Sequence, residues 1–196
     1  MFADLLAHPG VEEACELRGR FGFMAIHGGS LERGTDVIAA AAAERAGASL
    51  YAVRQPHDLT WHVPSIAFDP AVSPRLRDFL AHVDTVVSVH GYGRVGMWTT
   101  LLVGGGNRPL AAEVASALCA TLGEGFTAVD DLDAIPVALR GVHSRNPVNL
   151  PRGGGVQLEL PPRVRRGTDA PTYRPEYEAA VVEALARVAV GADVQG

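Results

Sequence analysis

Three residues that can bind a metal or move a proton stand at the carboxyl ends of short apolar segments: His27, His90 and Glu159. A fourth, Glu32, lies five positions after His27, on the turn into the next predicted helix. Two glycines, 28–29, allow that turn to be tight, so that His27 and Glu32 can face one point. Ligands of open α/β sheets bind beyond the carboxyl ends of the strands, so the spacing predicts that these residues share one site.

Two imidazoles and one carboxylate are the ligand set of a catalytic zinc ion, with the fourth position left to water. Zinc lowers the pKa of that water toward roughly 7 and polarises a carbonyl oxygen. A second carboxylate can then take the proton of the water and pass it to the leaving nitrogen. The sequence therefore predicts amide hydrolysis, with zinc on His27, Glu32 and His90 and with Glu159 as the base. The same donors also suit other divalent ions.

Each of these residues also has a purely structural interpretation. A histidine after a strand is commonly a hydrogen-bonded core residue. Glu32 would favour the dipole of the helix that follows it, and Glu159 could lie on the polar face of a strand. The spacing is less specific than that of a His-Glu-x-x-His helix, so it leaves both interpretations open.

Alternating strands and helices are predicted to position these residues. Buried apolar runs predict strands at 21–26, 49–53, 85–89, 99–103 and 156–160. Apolar periodicity and capping residues predict helices at 12–17, 35–46, 73–82, 110–122 and 175–190. The expected fold is one α/β catalytic domain over residues 1–196, with a single open, mostly parallel (mixed) sheet and flanking helices.

Composition sets outer limits on the function. The chain has 196 residues, 47% of them hydrophobic, which suffices for a core. Its net charge is -5 and it has no basic run, which argues against a nucleic-acid partner. The sequence contains no apolar run of about 18 residues, so no membrane-spanning helix is predicted. The first residues lack the pattern of a signal peptide, so a cytoplasmic location is expected, with release by lysis left open. Cys15 and Cys119 are expected to be buried free thiols on helices.

Three segments resemble the poly-γ-glutamate hydrolase family. They are Ile-His-Gly-Gly-Ser-Leu-Glu-Arg-Gly-Thr-Asp-Val-Ile-Ala at 26–39, Ser-Val-His-Gly-Tyr at 88–92, and Gly-Val-Gln-Leu-Glu-Leu-Pro at 155–161, which Arg163 follows. Members of this family are zinc peptidases of phages and bacteria with a carboxypeptidase-like open α/β fold. The resemblance implies that His27, Glu32 and His90 bind zinc and that Glu159 is the general base, in agreement with their predicted places at strand ends.

The resemblance also bears on the substrate. Relatives often carry a His-Ile-Thr-Ser-Thr segment, and the corresponding residues here are His-Val-Pro-Ser-Ile at 62–66. His62 and Ser65 match, whereas both threonines are replaced. If this segment lines the substrate groove, the substrate can differ from poly-γ-glutamate.

A groove for a polyanionic γ-glutamyl polymer should be locally positive, so arginines are expected near the metal. Arg163 follows the strand of the base candidate and could bind a carboxylate or stabilise an oxyanion. Tyr92 and Arg94 leave the strand that ends at His90 and are expected to contact substrate. Arg145 and Asn146 offer the groups with which carboxypeptidase-like enzymes hold a carboxylate, but in reversed order, and an ordinary surface loop explains them equally well.

Rival functions differ in what the sequence supports. A serine esterase would need a Gly-x-Ser-x-Gly elbow, which the sequence does not contain. A dinucleotide site at Gly104–Gly106 would need a third glycine, but Pro109 stands at that position. Two alternatives remain open. One is a zinc carboxypeptidase or amidohydrolase acting on a small amide substrate such as another acylated amino acid or peptide. The other is a non-catalytic, metal-stabilised binding protein derived from a phage.

Overall fold

A mixed β-sheet forms the centre of the protein in the computed structural model, which describes residues 1–167 and 173–195. Its strands are β1 (Glu12–Glu16), β2 (Phe21–Gly29), β3 (Ser49–Gln55), β4 (Thr85–Gly91), β5 (Thr100–Val103), β6 (Thr127–Val129) and β7 (Gly155–Leu160), in the order β1-β3-β2-β4-β7-β5-β6. Strands β3, β2, β4 and β7 run parallel, while β1 and β5 lie antiparallel to β3 and β7. The predicted open, mostly parallel sheet with flanking helices is confirmed.

Five α-helices surround the sheet within the described residues: α1 (Phe2–Leu6), α2 (Thr35–Ala46), α3 (Pro74–His82), α4 (Arg108–Leu122) and α5 (Pro175–Gln195). Their ends follow the capping signals of the sequence. The Ser73 hydroxyl accepts a hydrogen bond from the Leu76 amide at the start of α3, and Gly47 ends α2 with φ +66°. None of the helices described is long and apolar enough to cross a bilayer.

The two faces of the sheet pack against different helices. Helices α2, α4 and α5 cover one face, where Phe23 and Ala25 of β2 point. Helices α1 and α3 cover the other face, where Met24 and Ile26 point. Because both faces are covered, successive residues of β2 are buried and the strand is a continuous apolar run. The helices leave the carboxyl ends of β2, β4 and β7 uncovered, and these ends lie together at one edge of the sheet, where a site can form.

The structure corrects two predictions near the N-terminus and on α4. Residues 12–17 were expected to be helical, but Glu12–Glu16 forms the edge strand β1, paired with β3. Five residues are too few to separate a helical from a strand pattern when one side of an edge strand faces solvent. Both cysteines are free thiols, yet Cys15 lies on this strand and is only partly buried, and Cys119 is exposed.

Candidate metal centre

His27, Glu32 and His90 converge at the carboxyl ends of two neighbouring parallel strands. The Nδ1 atom of His27 lies 2.8 Å from Oε1 of Glu32, and Nδ1 of His90 lies 3.3 Å from its Oε2. One ligand atom from each residue lies within 4.8 Å of the other two. The structure thus brings together all three residues that the sequence singled out as metal ligands.

Local backbone geometry places Glu32 between the two imidazoles. Strand β2 shifts register against β3 between Ala25 and Gly28, the stretch that contains His27, and the Glu32 amide donates to the His27 carbonyl oxygen at 2.9 Å. Gly29 has φ +73°, and a Cβ at this position would lie 2.2 Å from the Gln55 carbonyl oxygen. The close approach of the two backbones therefore requires glycine here.

The outer nitrogen of each imidazole has a partner of its own. Nε2 of His27 donates to the carbonyl oxygen of Val63 at 2.8 Å, and Nε2 of His90 is hydrogen-bonded to the Ser88 hydroxyl at 2.9 Å. Such partners fix the orientation of an imidazole, and the Val63 carbonyl also fixes the tautomer of His27. Both rings consequently direct Nδ1 toward the centre of the cluster.

The charges of the cluster are strongly coupled. Burial alone would raise the pKa of Glu32, but the neighbouring charges of His90 and His27 and their hydrogen bonds hold that pKa far below its ordinary range. Burial lowers the pKa of His90, and the charge of Glu32 reverses this effect and raises it. A fixed carboxylate between two oriented imidazoles is a donor set that fits a divalent cation with a further coordination position open.

Glu159 lines the same cavity from strand β7, where it lies in register with His90 on β4. Its Oε1 accepts a hydrogen bond of 2.9 Å from Nε2 of Gln157, whose Oε1 accepts one of 2.8 Å from Asn146. Burial raises the pKa of Glu159, although the charge of His90 opposes the shift. A carboxylate with a raised pKa is the more effective proton acceptor near neutral pH.

Arg165 connects the segments that carry these residues. Its Nε donates to the Leu160 carbonyl at 3.0 Å, Nη1 to the Arg33 carbonyl at 2.8 Å, and Nη2 to the Tyr92 carbonyl at 3.4 Å. Leu160 directly follows Glu159, Arg33 directly follows Glu32, and Tyr92 lies two residues after His90. The guanidinium is buried, because the residue is only 5% exposed. Arg165 therefore holds three loops of the site in one arrangement.

A cavity of about 730 Å³ opens over the cluster. Its lining residues are His27, Leu31, Glu32, His62, Pro64, Ser65, Ile66, His90, Gly91, Val137, Ala138, Leu139, Gly141, Val142, His143, Asn146, Gln157 and Glu159. His62, Ser65 and Asn146, predicted as substrate contacts, are among them. The ring of His62 lies 5.0 Å from that of His27, and burial and the charge of His27 lower the pKa of His62.

The other predicted substrate contacts lie outside the lining of this cavity. Tyr92 is buried, with its hydroxyl donating to the Met97 carbonyl at 3.1 Å. Arg94 is exposed in the loop after β4, and Arg145 lines a separate hollow of about 270 Å³. The Nε atom of Arg163 is buried and finds no hydrogen-bond partner among the described residues. Contact of these four residues with substrate stays a prediction.

Sequence reasoning missed several residues of the site. Ser88 and Gln157 each lie two positions before a selected residue on the same strand, and the period of two in a strand could have identified both. Arg165 gave no comparable signal, since its three partners are backbone carbonyls of distant segments. The apolar cavity wall at 137–142 was also missed, because short turns carry no periodicity.

The open sheet, with the cluster of two histidines and one carboxylate beyond its strands, defines a carboxypeptidase-like fold. A metallo-carboxypeptidase from Pseudomonas aeruginosa superposes with a TM-score of 0.51 at 16% identity, over 98% of this chain and 66% of that one. At such identity the likeness concerns the fold alone.

The family model of poly-gamma-glutamate hydrolase matches residues 4–170. The chain therefore belongs to the poly-gamma-glutamate hydrolase family and is a hydrolase. A bacteriophage poly-gamma-glutamate hydrolase superposes with a TM-score of 0.75 at 22% identity, over 95% of this chain and 91% of that one. A zinc-free structure named YNDL-apo gives 0.72 at 24% identity, over 91% and 88%. No curated protein matches the chain significantly.

Proposed function

We propose that this hydrolase is zinc-dependent, that it cleaves amide bonds, γ-glutamyl linkages first among them, and that residues 1–196 form one catalytic domain. The observation that carries the proposal is the convergence of His27, Glu32 and His90 within 4.8 Å, in a cavity that Glu159 also lines. Family membership and the name of the bacteriophage relative support γ-glutamyl linkages as the first bond to test.

His27, Glu32 and His90 would hold the metal. Their donors are two nitrogens and one oxygen, and their orientation is set before any metal arrives, because Val63 and Ser88 hold the outer ring nitrogens. Zinc bound there would supply Lewis acidity toward the substrate carbonyl and lower the pKa of water.

The remaining chemistry belongs to side chains of the chain. Glu159 accepts the proton of the attacking water and delivers it to the amide nitrogen as the C–N bond breaks, so the products are a carboxylate and a free amine. Gln157 holds the Glu159 carboxylate in place through the 2.9 Å hydrogen bond. Arg165 maintains the spacing between the loops that carry Glu159 and the ligand candidates.

A second candidate substrate is a small acylated amino acid or peptide. The observation that favours it is the lining of the cavity, where no arginine appears among the described residues. A polyanion would need such cations within reach of its carboxylates.

Metal analysis and a matched activity assay test the proposal. The purified protein should contain about one zinc per chain, lose hydrolysis of γ-glutamyl substrates on chelation, and regain it with zinc. His90→Ala should abolish metal retention, while His57→Ala, at an exposed histidine outside the cavity, should not. A protein that holds zinc without hydrolysing any amide would instead be a metal-stabilised binding protein. A protein that retains no divalent metal would refute the zinc assignment.

A further inference from the structure

We propose that the substrate group held in the cavity beside the scissile amide is uncharged and apolar, so that the preferred partner of the γ-glutamyl bond is an apolar residue and not another glutamate. The inference rests on the proposed function for the reaction itself. It concerns which side chain the enzyme selects.

Exposed hydrocarbon surrounds the entrance of the cavity. Val137 is 77% exposed, Val142 47% and Ile66 38%, and all three line it, together with Leu31 and Leu139. Large apolar side chains left in water around one concave site mark a surface that binds a ligand. The volume of about 730 Å³ is that of a small-molecule site.

The apolar wall is held in place by its own backbone. The Arg140 carbonyl accepts from the Gly105 amide at 2.8 Å, and the Gly141 carbonyl accepts from the side-chain amide of Asn149 at 2.7 Å. These carbonyls are therefore used inside the protein. What the wall offers to a ligand is mainly hydrocarbon, in a fixed shape.

The charges that face the cavity are unfavourable for a second carboxylate. Its acidic lining residues are Glu32 and Glu159. All arginines of the chain lie in the described residues, and none lines the cavity. Arg165 interacts electrostatically with both glutamates, but its guanidinium is directed to backbone carbonyls.

A glutamate side chain in this cavity would lose hydration beside two carboxylates, with no arginine in the lining to pair with it; the basic groups there are the imidazoles of His27, His62, His90 and His143. A hydrocarbon side chain would lose only unfavourable contact with water. Two ligands that carry the same reacting group and differ only in this side chain should therefore bind with different affinities.

Two pairs of probes measure this difference without turnover. N-Butylacetohydroxamic acid and N-(3-carboxypropyl)acetohydroxamic acid carry chains of equal length on the amide nitrogen, ending in a methyl group and a carboxylate. The zinc-loaded protein should bind the first about tenfold more tightly or better, measured by calorimetry. N-Butylacetamide and N-acetyl-4-aminobutyric acid repeat the comparison on metal-free protein by ligand-observed NMR. Equal or tighter binding of the carboxylate member in both pairs would overturn the inference.

Variants then test the wall directly. Val142→Arg should reverse the order of the two hydroxamates, because it adds a cation where the wall was apolar. Val190→Arg is the matched control, since Val190 is 49% exposed and does not line this cavity. It should leave the order unchanged. If Val142→Arg folds with the thermal stability of the control and the preference stays the same, the wall does not select the ligand.

Turnover separates this inference from the proposed function. γ-Glutamyl-leucine and γ-glutamyl-glutamate present the same bond, and kcat/KM should favour the leucine compound by about tenfold. A preference for the glutamate compound overturns the inference and leaves the hydrolase intact. Failure to cleave either dipeptide or poly-γ-glutamate itself refutes the γ-glutamyl assignment, and the order of the hydroxamates then still decides whether the cavity selects apolar groups.

Discussion

Gly91 leaves the space that the Arg165 guanidinium occupies: a Cβ on Gly91 would lie 2.4 Å from Cζ of Arg165. The glycine directly follows His90, and the arginine binds the carbonyls of Leu160, Arg33 and Tyr92. The missing side chain of Gly91 and the buried guanidinium of Arg165 therefore depend on each other. Together they link the ends of β4 and β7 to the loop after β2.

Replacement of either member should disturb the site while the fold survives. Gly91→Ala should displace the guanidinium, and Arg165→Lys cannot reach three carbonyls with one ammonium group. Each should lower kcat or zinc affinity by about 10- to 100-fold, with kcat affected more than KM. Gly93→Ala and Arg166→Lys are matched controls, because a Cβ on Gly93 meets nothing closer than 3.9 Å and Arg166 pairs with Glu178. Variants of Gly91 and Arg165 with the kinetics of these controls would contradict the assigned role.

Glu159→Gln should separate metal binding from proton transfer. The amide keeps the size of the side chain but cannot accept a proton, so kcat should fall by about 100- to 10,000-fold. Zinc content should stay the same, because the ligand candidates are untouched. Steady-state kinetics and metal analysis on one preparation check both statements, with Glu16→Gln, an exposed glutamate of β1, as control. Near-normal turnover would mean that another group is the base.

Ser88→Ala should weaken the hold on the metal through His90. The hydroxyl lies 2.9 Å from Nε2 of His90, and loss of such an outer partner typically costs about 10- to 100-fold in metal affinity. Competition with a chromophoric chelator measures the change. Ser116→Ala, on the exposed side of α4, is the control. An affinity equal to that of the control would show that the imidazole is oriented without Ser88.

Sequence patterns predicted the parts of the fold that are buried on both sides. Strand β2 begins with a continuous apolar run because helices cover both of its faces, and β4 and β7 are buried along nearly their whole length, so the residues at the ends of these strands could be placed at one edge. Strand β1 and the three-residue β6 escaped prediction, since edge strands are short and partly polar. Helix α1, with five residues, is also too short to show a period.

The residues of the site also divide into those that the sequence could predict and those that it could not. The ligand candidates lie at or near strand ends and could be selected from their spacing, whereas Arg165 could not. Arg163 and Arg165 follow the same strand, and only the folded chain shows that Arg165 turns inward to the carbonyls of Leu160 and Tyr92. The apolar wall at 137–142 depends on contacts between segments far apart in sequence, which a local pattern does not record.

The two cysteines should differ in their reactivity and in its dependence on pH. Burial raises the pKa of the Cys15 thiol, and the charges of Glu13 and Asp78 add to the shift, whereas Cys119 is exposed on α4. Only the thiolate reacts with iodoacetamide, so a raised pKa means less thiolate and slower alkylation at every pH below it. At about pH 8, close to the ordinary thiol pKa, Cys119 should be labelled first, and the rate at Cys15 should keep rising as the pH increases.

Peptide mass spectrometry measures both rates, with urea-unfolded protein as the control in which they converge. Glu13→Gln removes one of the negative charges and should accelerate labelling of Cys15 alone. Equal rates for both thiols in the folded protein at pH 8 would contradict the partly buried placement of Cys15 on β1.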